Sequence, residues 1–411
     1  MYQDKYVFSQ VVDFFNRNKF NRIVQKYNGD HYIKHYTCYN QLVTLIFGQL
    51  SRSASLRDVV IALQAQGPKC YHLGIGKYVF RSNLAKVNEQ RDYRIFEEFA
   101  YYMIDQAKQK FANNTLVTAD IYAFDSTTID LCLTLFDWAK FRKRKGGIKV
   151  HTLFDVVTGI PTFVYITEAK VNDVNAMDEI PYQAGSFYIF DRGYNDFSRL
   201  FMIHQLEAMF IVRAKKNVKF KRVSWIRRLQ DNVLSDSKIR FKGYYQEKDY
   251  PEDLRLVKYW DNEHKRKFIF LTNNFELTAL EIAELYRQRW QIELFFKWMK
   301  GHLKIKHFYG TSFNAVKIQI FVAIITFCLV SIIKYDMKLS LTTYEILHIL
   351  SISLTSKTHL LDLLDKTNFQ NNKECFDSSE PLLFDLNFNR LFLVDSSDLW
   401  HIYTMLKVAV G

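Results

Sequence analysis

Tyr286, Arg289, Glu293, Lys297 and Lys300 lie in the stretch ELYRQRWQIELFFKWMKGHLK, residues 284–304. Wound at helical pitch, these five share less than about a third of the circumference. Leu285, Ile292, Phe296 and Met299 form an apolar stripe beside them, which a helix turns toward a core. A carboxylate among cations and against an apolar face is costly unless a cation or a metal neutralises it. Two further acids stand in apolar settings: Asp125 within YAFDSTTI and Asp191 within YIFDRGY. Taken singly, each has an ordinary reading, since a strand-end Asp forms turns and a Glu in a basic stripe makes an ion pair. Taken together, three carboxylates suit a hard cation, Mg2+ with Mn2+ as substitute, which prefers oxygen ligands. Two such ions roughly 3.5–4 Å apart can activate an attacking hydroxyl and stabilise the leaving oxygen of an in-line displacement.

The elements that must position these acids can be read from pattern. The chain of 411 residues is long enough for two or three domains. Residues 1–115 carry apolar residues at helical spacing, and SASLRDVVIALQAQ begins with Ser and an early Asp, read as an N-cap followed by a favourable first-turn acid. The segments around SASLRDVVIALQAQ and RSNLAKVNEQR are either a helix-turn-helix offering Arg81–Arg91 to DNA or a plain helical bundle. From Leu116 the composition turns to strand. IKVHTLFDVVTGIPTFVYITEA is a hairpin turning at Thr158-Gly159, followed by a short polar helix near Asn172–Ile180, a buried strand ending at Asp191, a helix and another strand. That order predicts a mixed sheet with helices on its faces. Residues 215–274 lose the helical pattern and read as a β-rich insertion.

Charge narrows the partners. The net charge is +13 and the pI about 9.2, which favours a polyanion, nucleic acid or an anionic membrane surface. The cations gather in FRKRKGGIK (141–149) and RAKKNVKFKR (213–222), the second suiting a strand with one cationic face. The five cysteines are scattered without a CxxC, so neither a disulfide framework nor a zinc site is expected. The first ten residues do not read as a signal peptide. The apolar run Ile318–Ile333 is short for a membrane span and holds Gln319, Thr326 and Ser331, so a buried helix and a cytoplasmic setting are expected. No GxxxxGK[ST] phosphate loop is present, in keeping with a reaction that needs no nucleotide cofactor.

The spacing Tyr286-x2-Arg289-x3-Glu293-x6-Lys300 resembles the Y-R-E-K signature of the fourth family of DDE insertion-sequence transposases, and Lys297 matches a further lysine of that group. YIFDRGY resembles the block around the group's second Asp, and YAFDSTTI the block around its first. The resemblance covers roughly Leu116–Ile333. It implies an α/β, ribonuclease H-like mixed sheet flanked by helices, with a β-rich insertion and a helical N-terminal domain. Asp125, Asp191 and Glu293 would then be the catalytic, metal-binding triad, and Tyr286, Arg289, Lys297 and Lys300 the grip on the DNA backbone.

The implied activity is that of a DNA transposase: a polynucleotidyl transferase and endonuclease that cleaves transposon-end DNA and joins its 3′-hydroxyl to target DNA, through a hairpinned end in many members of the group. A metal-dependent nuclease on the same fold, or an inactive domesticated DNA-binding protein, stands as the alternative. The expected organisation is an end-binding helical domain at 1–115, a catalytic domain at 116–214 and 275–335, the insertion at 215–274, and a helical region at 336–411 suited to dimerisation. Partners are double-stranded DNA, both inverted repeats and target, and a second copy of the chain in a homodimer; a membrane is not expected. The bacterial cytosol, at the nucleoid, is the expected location. Trp260 and Tyr245 are candidates for stacking on an extruded base, ordinary β-core packing being the alternative for each. His151 is a candidate structural histidine near the site. Arg192 is a holder of Asp191 or of a phosphate, or half of a salt bridge.

Overall fold

The computed structural model describes residues 5–76, 79–112, 120–131, 136–142, 145–215, 218–226, 231–302 and 308–365. The chain folds into two compact units. The first is helical and draws on the chain before 115, on 129–146 and on residues after 295; the second holds most of the sheet and all three candidate acids.

The helical unit is organised by Phe313–Asp336, a helix of 24 residues buried along nearly its whole length. It is long and apolar enough to cross a membrane, but Arg94–Ala112, Cys38–Leu50 and Arg81–Gln90 pack around it instead. Gln319 and Thr326 on it are satisfied within the protein, as burial demands. Gln319 accepts from the Tyr309 N–H at 2.7 Å through its side chain and from Gln49 at 3.2 Å through its carbonyl. Thr326 bonds back to the Val322 carbonyl at 2.8 Å. Ser55 caps Leu56–Gln66 by accepting from the Asp58 N–H. The Arg81–Arg91 segment does not present both its arginines to DNA: Arg91 is buried, donating to the Gln41 side chain at 3.0 Å and to the Tyr36 carbonyl. Thus Arg91 ties helices together.

Ten strands form one sheet: β1 (Ile121–Leu131), β2 (Lys140–Arg142), β3 (Lys145–Asp155), β4 (Ile160–Glu168), β5 (Phe187–Phe190), β6 (Met209–Arg213), β7 (Phe220–Trp225), β8 (Val233–Phe241), β9 (Leu254–Asp261) and β10 (Arg266–Thr272). The order is β2-β3-β1-β5-β6-β10-β9-β8-β7, with β4 also on β3. The run β4-β3-β1-β5-β6, with parallel β1-β5 and β5-β6 pairs, is the ribonuclease H-like core expected from the resemblance. β5 and the first four residues of β1 are buried throughout, as strands covered on both faces must be. The β3–β4 hairpin turns at Gly159, whose φ of 70° favours glycine; the Asp155 carboxylate accepts from the Val157 and Thr158 N–H groups there.

The strands of 215–274 extend this same sheet, since β10 pairs antiparallel with β6. Two local expectations change there. The basic run 213–222 is not one cationic strand: β6 ends at Arg213 and β7 begins at Phe220. SKIRFKGYYQ reads by composition as one strand, but β8 stops at Phe241, and Gly243, with a φ of 117°, leads into a helical turn, Tyr244–Asp249. The polar segment after Asp365, with Cys375, lies outside the described residues, as do Cys132, Lys143, Arg144 and Lys304.

Candidate active site

Two of the three acids are placed by strand register. β1 and β5 pair in parallel from Ile121↔Phe187 to Phe124↔Phe190. Asp125 is the next residue along β1 and Asp191 the first beyond β5, so both carboxylates leave neighbouring strands, about 4.8 Å apart, at one level. Phe124 and Phe190 beneath them are fully buried. Asp191 opens a short turn, Arg192–Tyr194, that Asn195 fastens to the sheet by donating to the Arg192 and Arg213 carbonyls at 2.9 and 2.7 Å.

The third acid arrives on a helix, and here the structure differs from the single uninterrupted helix that the spacing suggests. The segment divides at Arg289 into Ala279–Gln288 and Trp290–His302. Around the junction the Arg289 N–H donates to the Tyr286 carbonyl at 3.1 Å and the Ile292 N–H to the Arg289 carbonyl at 3.2 Å, three-residue closures that wind the chain more tightly than an α-helix. The first helix is begun by a reciprocal cap between Thr278 and Glu281. The loop before it is held by Arg255, a buried β9 residue that forks onto Asp236 of β8 at 3.0 and 2.7 Å and donates to the Leu277 carbonyl at 2.5 Å. Leu285, Ile292, Phe296 and Met299 are all buried, as their stripe requires.

From this frame Arg289 reaches both a strand acid and the helix acid. Its guanidinium donates to Asp125 Oδ2 at 2.9 Å and to Glu293 Oε1. The Tyr286 hydroxyl points to Asp191 Oδ1 across 3.5 Å, a long contact. Burial pushes the Asp125 carboxyl up to about 6; Arg289 and the Ser126 N–H oppose the rise, and the charges of Asp191 and Glu293 add to it. Burial works against the charge of Arg289, but Tyr286, Asp125 and Glu293 outweigh it and hold the guanidinium above its ordinary range. Desolvation likewise raises the Tyr286 phenol. The structure thus brings Asp125, Asp191 and Glu293 into one electrostatic neighbourhood, with a fixed cation bridging two of them.

The remaining candidates take varied places. His151 is fully buried, shares a hydrogen bond with Thr167 at 2.9 Å and is driven down to about 4 by burial; it is a neutral structural residue at neutral pH. Arg192 is exposed and pairs with no described carboxylate. Lys297 is exposed and Lys300 half-buried on the Trp290–His302 helix. Trp260 and Tyr245 are both exposed rather than core aromatics.

Sequence reading missed the side chains behind Asp125. The Ser126 hydroxyl donates to Asp173 at 2.7 Å, and Lys149 joins Asp173 at 3.1 Å. A signal existed, because Lys149 and His151 stand two apart on a strand and so share a face. A second acidic group, Asp261, Glu263 and His264, lies at the β9–β10 turn. There Asp261 accepts from the Glu263 and His264 N–H groups at 3.0 and 3.2 Å, which accounts for the cluster as turn chemistry.

Comparison with known proteins shows the family. Residues 118–329 match the family model described as Transposase DDE domain, and residues 3–76 match a domain of unknown function, DUF4372. A Sinorhizobium fredii protein named as transposase y4zB is 35% identical over 257 residues, covering 61% of this chain and 70% of the relative. A Geobacillus stearothermophilus protein named as the transposase of insertion sequence element IS5377 is 25% identical over 249 residues, covering 60% and 66%. A Synechocystis protein named as the transposase of insertion sequence element IS4SA is 24% identical over 296 residues, covering 69% and 80%. With a family model spanning half the chain and a relative of this identity, the protein belongs to the DDE insertion-sequence transposases, enzymes that transfer and cut polynucleotide strands.

Proposed function

We propose that this transposase binds its own transposon-end DNA and performs divalent-metal-dependent strand cleavage and strand transfer, a cut-and-paste reaction, with Asp125, Asp191 and Glu293 as the metal-holding acids. The observation that carries the reading is the Arg289 guanidinium between Asp125 and Glu293, with the charge of Asp191 also bearing on Asp125. A site that already holds a positive charge between two carboxylates, and offers only oxygen donors from its acids, fits Mg2+ or Mn2+. Bound there, such ions would supply activation of the attacking hydroxyl and stabilisation of the leaving oxygen.

The chain's own residues prepare that exchange. While the acids stand without another cation, Arg289 neutralises them and limits their mutual repulsion. Its planar fork can equally grip a phosphate bidentately, while Lys297 and Lys300 act as point charges and Tyr286 braces Asp191. Within the second helix, Trp290 to Lys300 spans about 15 Å, enough to follow two or three backbone phosphates. Each step forms one phosphodiester or P–O bond and breaks another, so no nucleotide is consumed. A hairpinned transposon end, opened before transfer, belongs to the proposal. So do recognition of the inverted repeats by the helical region 1–115, dimerisation through 336–411 in the DNA complex, and action at the nucleoid in the bacterial cytosol.

The test is an excision and strand-transfer assay with DNA carrying the inverted repeats that flank the gene, in Mg2+. The expected products are free transposon ends and 3′-hydroxyls joined to target DNA, both abolished by a chelator and by Asp125→Ala. Cleavage without any joined product would make the enzyme a nuclease, and wild-type excision by Asp125→Ala would overturn the assignment of the acids.

A further inference from the structure

Asp125 is followed directly by a residue whose two polar groups point different ways. The Ser126 N–H donates to Asp125 Oδ1 at 2.8 Å, and the Ser126 hydroxyl donates to Asp173 Oδ1 at 2.7 Å. Asp173 sits in the turn Asp173–Glu179, remote in sequence from β1. Its Oδ1 also takes Lys149 Nζ at 3.1 Å, and Lys149 is itself anchored to the Val171 carbonyl at 2.7 Å. Lys149 is largely buried, with 11% of its side chain exposed, and fully buried His151 approaches the same oxygen at 3.9 Å. Buried Tyr194, from the block that follows Asp191, packs its ring on Phe124 at 5.3 Å.

A lysine this enclosed needs its carboxylate, and the carboxylate has a second use on Ser126. The hydroxyl of Ser126 is thereby fixed, and with it the backbone that aims an N–H at Asp125. Side chains that orient a metal ligand in this way usually change metal affinity 10- to 100-fold when removed.

Resting on the assignment of Asp125 as a metal ligand, we infer that Asp173, held by Lys149 and acting through Ser126, is a positioning residue that sets the orientation of the Asp125 carboxylate for divalent-cation binding. It touches neither DNA nor the reacting atoms in this role. Three structurally separate parts of the chain, β1, β3 and the turn after β4, meet to make the relay.

The experiment is Mn2+ binding to the full chain without DNA, by calorimetry and by electron paramagnetic resonance of free Mn2+, for Ser126→Ala, Asp173→Ala, Asp173→Asn and the double Ala variant. Thermal melting and circular dichroism show which variants remain folded. Ser126→Ala removes only a hydroxyl and keeps the fold testable should Asp173→Ala fail to fold. The expected result is about tenfold weaker Mn2+ binding for Ser126→Ala and Asp173→Ala. The double variant should be no weaker than either, and Asp173→Asn, which still accepts from Ser126, should recover most of the affinity. Unchanged affinity in folded Ser126→Ala, or losses that add in the double variant, would overturn the relay. Asp125→Asn serves as the control: if it binds Mn2+ like the wild type, the site assignment itself fails; if only Asp125→Asn loses binding, the relay alone fails.

Discussion

Arg289 lies 2.9 Å from Asp125 and bridges it to Glu293, so a residue counted by its spacing as a DNA contact is here the counter-ion of two catalytic candidates. One guanidinium cannot be fully engaged with both carboxylates and a phosphate. In the proposed mechanism, cation binding by the acids and phosphate binding by Arg289 are therefore linked: each favours the state in which Arg289 has left Asp125.

That linkage predicts a divided outcome for Arg289→Gln. In the DNA-free protein its Mn2+ affinity should rise about fivefold or more, because no resident cation must be displaced, a coupling of ordinary size. Strand cleavage should fall by ten- to a hundredfold through the lost phosphate contact. Calorimetry without DNA and single-turnover cleavage with DNA read the two effects separately; weaker Mn2+ binding in the variant would show that Arg289 organises the acids instead of competing for them.

Conservative amides at Asp125, Asp191 and Glu293 should each lower cleavage and strand transfer by at least about a thousandfold, the scale of a lost electrostatic element in a water-poor site. Binding to the inverted repeat in a gel-shift assay should persist. Loss of DNA binding in step with activity would assign these acids to folding.

The pH dependence follows from Asp125. Its carboxyl is pushed up to about 6 by burial, above the usual unfolded value of about 3.9. Protons are thus bound more tightly by the folded state, and this group's contribution to stability is fully present below pH of about 4 and is lost as pH rises through about 6. Metal binding has the opposite sign, since the cation needs the carboxylate: Mn2+ affinity should be full at pH 7.5 and weaken progressively below about 6. A flat affinity between pH 5 and 7.5 would contradict the buried setting.

The Arg255–Asp236 pair is nearly inaccessible and also secures the Leu277 carbonyl ahead of the Tyr286 helix. Arg255→Met should cost about 3–5 kcal/mol by leaving Asp236 charged and unpaired. Exchanging both partners for apolar residues should restore part of the loss. Chemical denaturation of the single and double variants checks this; equal losses in both would mean that Arg255 acts through Leu277 alone.

The architecture was legible where burial wrote a period into the sequence. β3, the turn at Gly159 and β4 follow from alternation and one glycine, and the apolar stripe of Leu285, Ile292, Phe296 and Met299 does face the interior. The meeting of Asp125, Asp191 and Glu293 came from resemblance, since register between β1 and β5 is a long-range property that neither segment encodes alone. The break at Arg289 was invisible because Tyr286–Lys300 keeps helical spacing on both sides of it. Lys149 and Asp173 escaped notice for a related reason: a lysine and an aspartate 24 residues apart look like solvated charges until a hairpin folds between them. Arg91 stays open in the sequence between a DNA contact and a bundle residue because charge says nothing of burial; its value lies in holding Gln41 and Tyr36.

The matched rungs from Ile121↔Phe187 to Phe124↔Phe190 make the enzyme vulnerable to a particular kind of genetic damage. Dropping one codon inside Phe187–Phe190 would leave three apolar neighbours nearly as greasy as before, yet pleat alternation would swing Asp191 to the far side of the sheet. Such an allele would still encode a nearly full-length chain whose acids no longer meet, so a mobile element could be silenced by three nucleotides without leaving a truncated product.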